Sequence, residues 1–139
     1  MNYITAKKLN MSQIFIKDDV VPVTLVKIED SVQDTNFEVG KILKITGVSK
    51  GKGFQGVVKR YGFRGGPKTH GQKNRLRAPG SIGDTASQRV WPGRKMAGRT
   101  GSETITLKKK IIEWDDKNRI LALKGPLPGA RGVKIKIFI

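Results

Sequence analysis

Between Gly47 and Gly101 thirteen lysines and arginines face a single acid, Asp84, and the same 55 residues hold 13 of the chain's 17 glycines. Such a segment cannot build an interior of its own. Like charges repel one another in a compact state, glycine loses more freedom than other residues when the backbone is ordered, and no apolar period of 2 or 3.6 runs beyond short pieces such as Gly56-Val57-Val58. Structureless connections longer than about 15 residues fall in the functional or disordered class. If residues 62 to 98 run out and back as an extended hairpin, each arm of about 18 residues reaches at most roughly 60 Å. Its backbone must then find hydrogen bonds and counter-charge on a partner.

The flanks read differently. QIFIKD, PVTLVKIE, KILKITGV, TITLKKKIIEW, RILALKG and VKIKIFI are short, rich in Val, Ile, Leu and Thr, and mostly alternating, which predicts strands. In the last of them Val133, Ile135, Ile137 and Ile139 share one face, and Lys134, Lys136 and Phe138 share the other. Asp115-Asp116-Lys117-Asn118 supplies turn residues between two strands and predicts a hairpin. No window carries a helical stripe, and VVKRYGFRGG reads as non-helical. The expectation is a mainly all-β chain, one domain over residues 1–139. A strand-rich barrel or sandwich is built from 1–61 and 99–139, and a basic arm covers 62–98.

The formal net charge of +17 and a pI near 10.5 call for a polyanionic partner. A membrane surface would require an amphipathic basic helix or a long apolar run, and neither is present, so no membrane partner is expected. The absence of cysteine removes disulfides and thiolate metal sites. GKGFQG fits the glycine pattern of nucleotide loops. A dinucleotide loop, however, wants a following helix and an acid some 20 residues on, where this chain reads GQKNRLR. A kinase needs a lysine strand, metal-binding acids and a far longer chain. GRKMAGRT resembles a phosphate loop with Arg99 where the lysine belongs. His70 is the single histidine and has no second ligand for zinc. Ser81, His70 and Asp84 lack the strand, elbow and helix that present a nucleophile. Asp115 and Asp116 read as a solvated turn. The chain is expected to be no enzyme, with no cofactor and no small-molecule substrate.

Nucleic acid fits better. Phosphate binding wants Lys and Arg at irregular spacing along an extended chain, small residues that allow close approach, and rings on which unpaired bases stack. Phe54, Tyr61, Phe63 and Trp91 interleave with the basic residues, and each could either stack on a base or anchor the arm. No helix-turn-helix, zinc finger or basic zipper is present, which favours structured RNA over duplex reading. On this pattern the candidate contacts include Phe54, Arg64, Lys68, Lys73, Arg89 and Trp91.

Four stretches in order, GVSKGKGFQGVVKRYGF, THGQKNRLRAPGSIG, RVWPGRKMAGRTGSETIT and LALKGPLPGARG, closely resemble the bacterial-type ribosomal protein L-three family of the large subunit. AKKLNMSQIF is similar to that family's opening, and the likeness covers residues 5 to 132. The resemblance implies a barrel related to the translation-factor barrel, with an extended loop threading through ribosomal RNA towards the peptidyl transferase centre. It also implies a role early in subunit assembly. By matching motifs, Lys50, Lys52, Lys59, Arg60, His70, Arg75, Arg77, Arg94, Lys95 and Arg99 would hold RNA backbone. Ser81, Ile82, Gly83, Asp84, Thr85 and Ala86 would lie at or near the arm's tip. The implied partners are large-subunit ribosomal RNA and neighbouring proteins of the L-fourteen and L-nineteen types, in a cytoplasmic ribosome, with an organellar one left open. The chain departs from the family in a shortened N-terminal half, where only a brief link around Ser31 to Phe37 precedes the GVSKGKG motif. Its tip reads GSIGDTASQR, so that Ala86 or Gln88 aligns with a glutamine that relatives can methylate. A free-standing RNA binder or chaperone derived from a ribosomal ancestor is the alternative reading.

Overall fold

A computed structural model describes residues 3–29 and 37–138. Most of the short link around Ser31 to Phe37, and Ile139 at the end of the last alternating strand, lie outside the described residues. The chain divides into two compact units, residues 1–50 with 102–139, and residues 51–101. The expected arm, 62–98, falls inside the second.

Six strands make the first unit: β1 (Tyr3–Ile16), β2 (Asp19–Ile28), β3 (Ile42–Val48), β6 (Thr104–Asp115), β7 (Ile120–Lys124) and β8 (Lys134–Phe138). All pair antiparallel, in the order β1-β2-β7-β6-β3-β8, and β8 returns to β1 to close a barrel. Closure leaves no free edge around the ring. The alternation of the C-terminal strand drives it. Ile135 and Ile137 point inward and are buried, while Lys134 and Lys136 point out. Ile137 stands opposite Ile4 on one neighbour and Ile45 on the other. Around them Val26, Leu43, Ile111, Leu121 and Leu123 complete the core. Gly47 is where β3 passes closest to the chain beyond β7: a Cβ there would sit 2.9 Å from Pro128 Cγ and 3.0 Å from Ile135 Cγ2.

The predicted hairpin forms. Asp115 pairs with Ile120, and the Asp115 carboxylate accepts hydrogen bonds from the Asn118 backbone N–H (3.3 Å) and Nδ2 (2.7 Å). These bonds, Asn118's side chain first, hold the carboxyl below its ordinary range. Asp115 therefore serves as a turn residue.

The opening strand is longer than QIFIKD implied and starts at Tyr3. Its inward positions are Ile4, Ala6 and Lys8, so a lysine occupies a core position and hides the alternation. Lys8 Nζ donates to the carbonyl oxygens of Leu127 and Gly129, both at 2.8 Å. Burial, and secondarily Lys50, pushes its ammonium below the usual lysine range. Removing the donor leaves two carbonyls to be satisfied elsewhere. Lys8→Met is expected to lower the unfolding free energy by about 1–3 kcal/mol, visible as a lower denaturant midpoint at unchanged slope.

The second unit holds β4 (Gly53–Gln55), the five-residue helix α1 (Val57–Tyr61) and β5 (Gly98–Thr100), with turns and bends between. β4 pairs with β5, placing Phe54 opposite Arg99. The helix corrects the expectation that VVKRYGFRGG is non-helical. At five residues it is too short to display a stripe, yet its stop is written in the sequence. Gly62 adopts φ 73° and its N–H bonds the Val58 carbonyl at 3.0 Å, ending the helix in a left-handed cap. Of the 51 residues in this unit, Val57 alone is buried. Among the described residues no helix is long and apolar enough to cross a membrane.

Candidate nucleic-acid interface

Every basic residue expected to hold RNA has an exposed side chain except Arg60, which is half-buried. Among the described residues none of the twelve lysines and arginines between Gly51 and Gly101 forms an ion pair; the salt bridge found among them, Lys134 to Glu29 at 3.3 Å, lies in the barrel unit. Asp84, the unit's one acid, is held by Ser87 through its Oγ (2.6 Å) and N–H (3.1 Å), with the hydroxyl bond the larger influence keeping the carboxyl below its ordinary range. The positive field of this unit is therefore uncompensated from within.

The cations are arranged on rings. Tyr61 and Phe63, at the end of α1, have centroids 6.2 Å apart. The Arg60 guanidinium lies 5.0 Å from the Tyr61 ring and Lys95 Nζ 5.6 Å from it, while Arg94 lies 6.0 Å from Phe63. Three cations from two distant stretches thus share two rings. Arg60 Nη1 also donates to the Met96 carbonyl at 2.9 Å, and Arg94 donates to the Ser81 carbonyl. Farther along, Arg89 stacks 4.4 Å from Trp91. Phe63 is partly covered, whereas Phe54 and Trp91 are 70% and 56% exposed.

Two local folds shape the backbone. Gly66 N–H donates to the Leu76 carbonyl at 2.9 Å, and a Cβ on Gly65 (φ +74°) would stand 2.2 Å from that oxygen. This contact brings Arg75 and Arg77 beside Arg64 and closes a loop on which Lys68, His70 and Lys73 are exposed. Beyond it Arg77, Pro79 and Ile82 line a cleft of about 430 Å³ with Gly56, Val57, Met96 and Ala97. The segment therefore doubles back instead of running straight out and straight home. Lys50, which belongs to the barrel unit, and Lys52 lie in the connection between β3 and β4, Lys59 on α1 and Arg99 on β5, and all four are exposed. Ser81 to Ala86 are all exposed, and Ser81 Oγ donates to the Gly83 carbonyl at 2.8 Å.

A closed barrel is joined in sequence to a cationic, ring-studded unit with almost no interior, which defines a β-protein interrupted by a basic excursion. The family model described as ribosomal protein L3 matches residues 5–127. The large ribosomal subunit protein uL3 of Dehalococcoides mccartyi is 42% identical over 121 residues, 86% of this chain and 59% of that protein. The uL3 of Chloroherpeton thalassium is 46% identical over 110 residues, covering 78% and 53%. That of Chlorobium phaeovibrioides is 47% identical over 104 residues, covering 73% and 50%. The chain belongs to the ribosomal protein L3 family. It spans 50 to 59% of the length of these three relatives.

Proposed function

We propose that the chain is a structural, RNA-binding component of the large ribosomal subunit, without catalysis of its own. Its excursion over residues 62–98 neutralises packed phosphates of large-subunit RNA. The observation that carries this reading is the second unit itself, with twelve basic side chains, no ion pair among the described residues and one buried residue in 51. Charge of that density without an interior is stabilised by a folded polyphosphate and by little else. The exposed Arg64, Lys68, His70, Lys73, Arg75 and Arg77 loop offers phosphate contacts at irregular spacing, and the Tyr61 and Phe63 cluster fixes Arg60, Arg94 and Lys95 for others. In this proposal Ser81 to Ala86 lie towards the peptidyl transferase centre, and the barrel meets neighbours of the L-fourteen and L-nineteen types. Early binding during assembly follows from the same electrostatics, since a cationic segment captures RNA before the RNA is fully folded.

A second reading, that of a free-standing RNA binder or chaperone, rests on the brief link that precedes the GVSKGKG motif. Sedimentation of lysate from the source cells separates the two. The ribosomal reading expects the chain in the large-subunit fraction and retained there through a salt wash. Recovery with free RNA supports the alternative, and recovery with neither overturns both.

A further inference from the structure

We propose that the β1-β2 hairpin is a protein-docking ribbon, which takes an extended, Lys- or Arg-bearing segment of another protein as a third strand along the outer edge of β1. The inference uses a segment, and a sign of charge, that the RNA reading leaves aside. The ring's own pairings stop short of the hairpin. β8 accompanies β1 from Tyr3 to Lys7, with Lys8 bonded to Gly132 and Val133 at the limit, and β7 accompanies β2 from Val23 to Lys27. Beyond those points, among the described residues, the two strands pair with each other alone, from Gln13–Pro22 to Ile16–Asp19. The Pro22 carbonyl shows which way the remaining backbone groups turn. It faces away from β1 and accepts from the Gly125 N–H at 2.8 Å, and Gln13 stands opposite it. Facing residues of an antiparallel pair either bond each other or both turn outward. Gln13, and Phe15 two positions on, therefore point N–H and C=O away from β2, along an edge that β8 has already left.

Two features mark this edge as a place for a polypeptide. A lone two-stranded ribbon is marginal in water, yet this one carries Phe15 at 68% exposure, opposite Val20, with Met11 and Ile16 also exposed. Free edges of this kind are normally covered. Charge then selects the partner. Residues 9–22 hold Lys17 against Asp18 and Asp19, a net −1 in a chain of +17, and among the described residues neither acid is ion-paired. Such a tip repels polyphosphate, and a second copy of the hairpin would set acid against acid. An extended cationic segment meets both demands. Its backbone takes the outward groups of Gln13 and Phe15, alternate apolar side chains cover Phe15 and Val20, and its cationic groups reach Asp18 and Asp19.

The test is a residue-resolved NMR titration of the full chain with a decapeptide alternating valine and lysine. Saturable shifts are expected at the amides of Gln13, Phe15 and Val20. Gln13→Pro removes an outward donor and leaves the β1-β2 ladder intact, so it should weaken peptide binding roughly tenfold at an unchanged melting midpoint. Asp18→Lys with Asp19→Lys should weaken it by a similar factor through charge alone. In the source cells, a benzophenone side chain in place of Phe15 should cross-link to a Lys- or Arg-bearing protein segment. Absence of shifts at residues 13–20, equal shifts there with a valine–glutamate decapeptide, unchanged affinity in both variants, or a cross-link to RNA or to a second copy of the chain would each overturn the proposal. RNA binding by the arm enters none of these readings, so failure of the ribosomal reading is not mistaken for failure of this one.

Discussion

Raising the salt from 50 to 200 mM should lower the affinity of the full chain for its large-subunit RNA site roughly 250- to 1,000-fold. The figure follows if about six of the arm's basic residues each neutralise one phosphate, which gives a log–log slope near −4 to −5. The structure supports the assumption that these charges are available. Among the described residues none is committed to an ion pair, and Lys68, Lys73 and Arg75 ride on an exposed loop closed at Gly66 and Leu76, with Arg77 just beyond it. A slope near zero, read by filter binding across that range, would contradict phosphate neutralisation as the mechanism. Nucleotide binding that persisted at high salt, read by equilibrium dialysis, would instead revive GKGFQG as an enzyme's loop.

Ile137→Ala should be the most damaging single truncation in the barrel. The side chain is fully buried on the strand that closes the ring, opposite Ile4 and Ile45 at once. Large-to-small substitution at such a site costs about 2–5 kcal/mol, and for a unit of this size the melting midpoint should fall on the order of 10–30 °C. Well below that midpoint the salt slope of RNA binding should be unchanged, because the arm's charges are untouched. A midpoint shift of a degree or two would mean that β8 is not what holds the ring shut.

The barrel was legible in the sequence because period-2 alternation is local, and all six of its strands were visible as short Val- and Ile-rich runs. What escaped was whatever depended on a distant partner. β1 began out of sight because Lys8 fills an inward position that only the carbonyls of Leu127 and Gly129 make tolerable. Helix α1 was missed because five residues show no period, although Gly62 marked its end. β4 and β5 are three residues each and make sense only as a pair 45 positions apart. For the candidate site, charge and rings could be read directly. That Arg60, Arg94 and Lys95 converge on Tyr61 and Phe63 required the fold.

Hydrogen exchange on the full chain, free and bound to large-subunit RNA, addresses the central claim most directly. A cationic excursion without an interior should take its order from the RNA. In free protein, amides of 62–98 should exchange nearly as fast as an unfolded chain while Leu121 to Leu123 and Ile135 to Ile137 are strongly protected; on RNA, protection should spread into 62–98. If 62–98 were already as protected in the free chain as the barrel strands, and RNA added nothing, the excursion would be a self-sufficient fold and the account would be wrong.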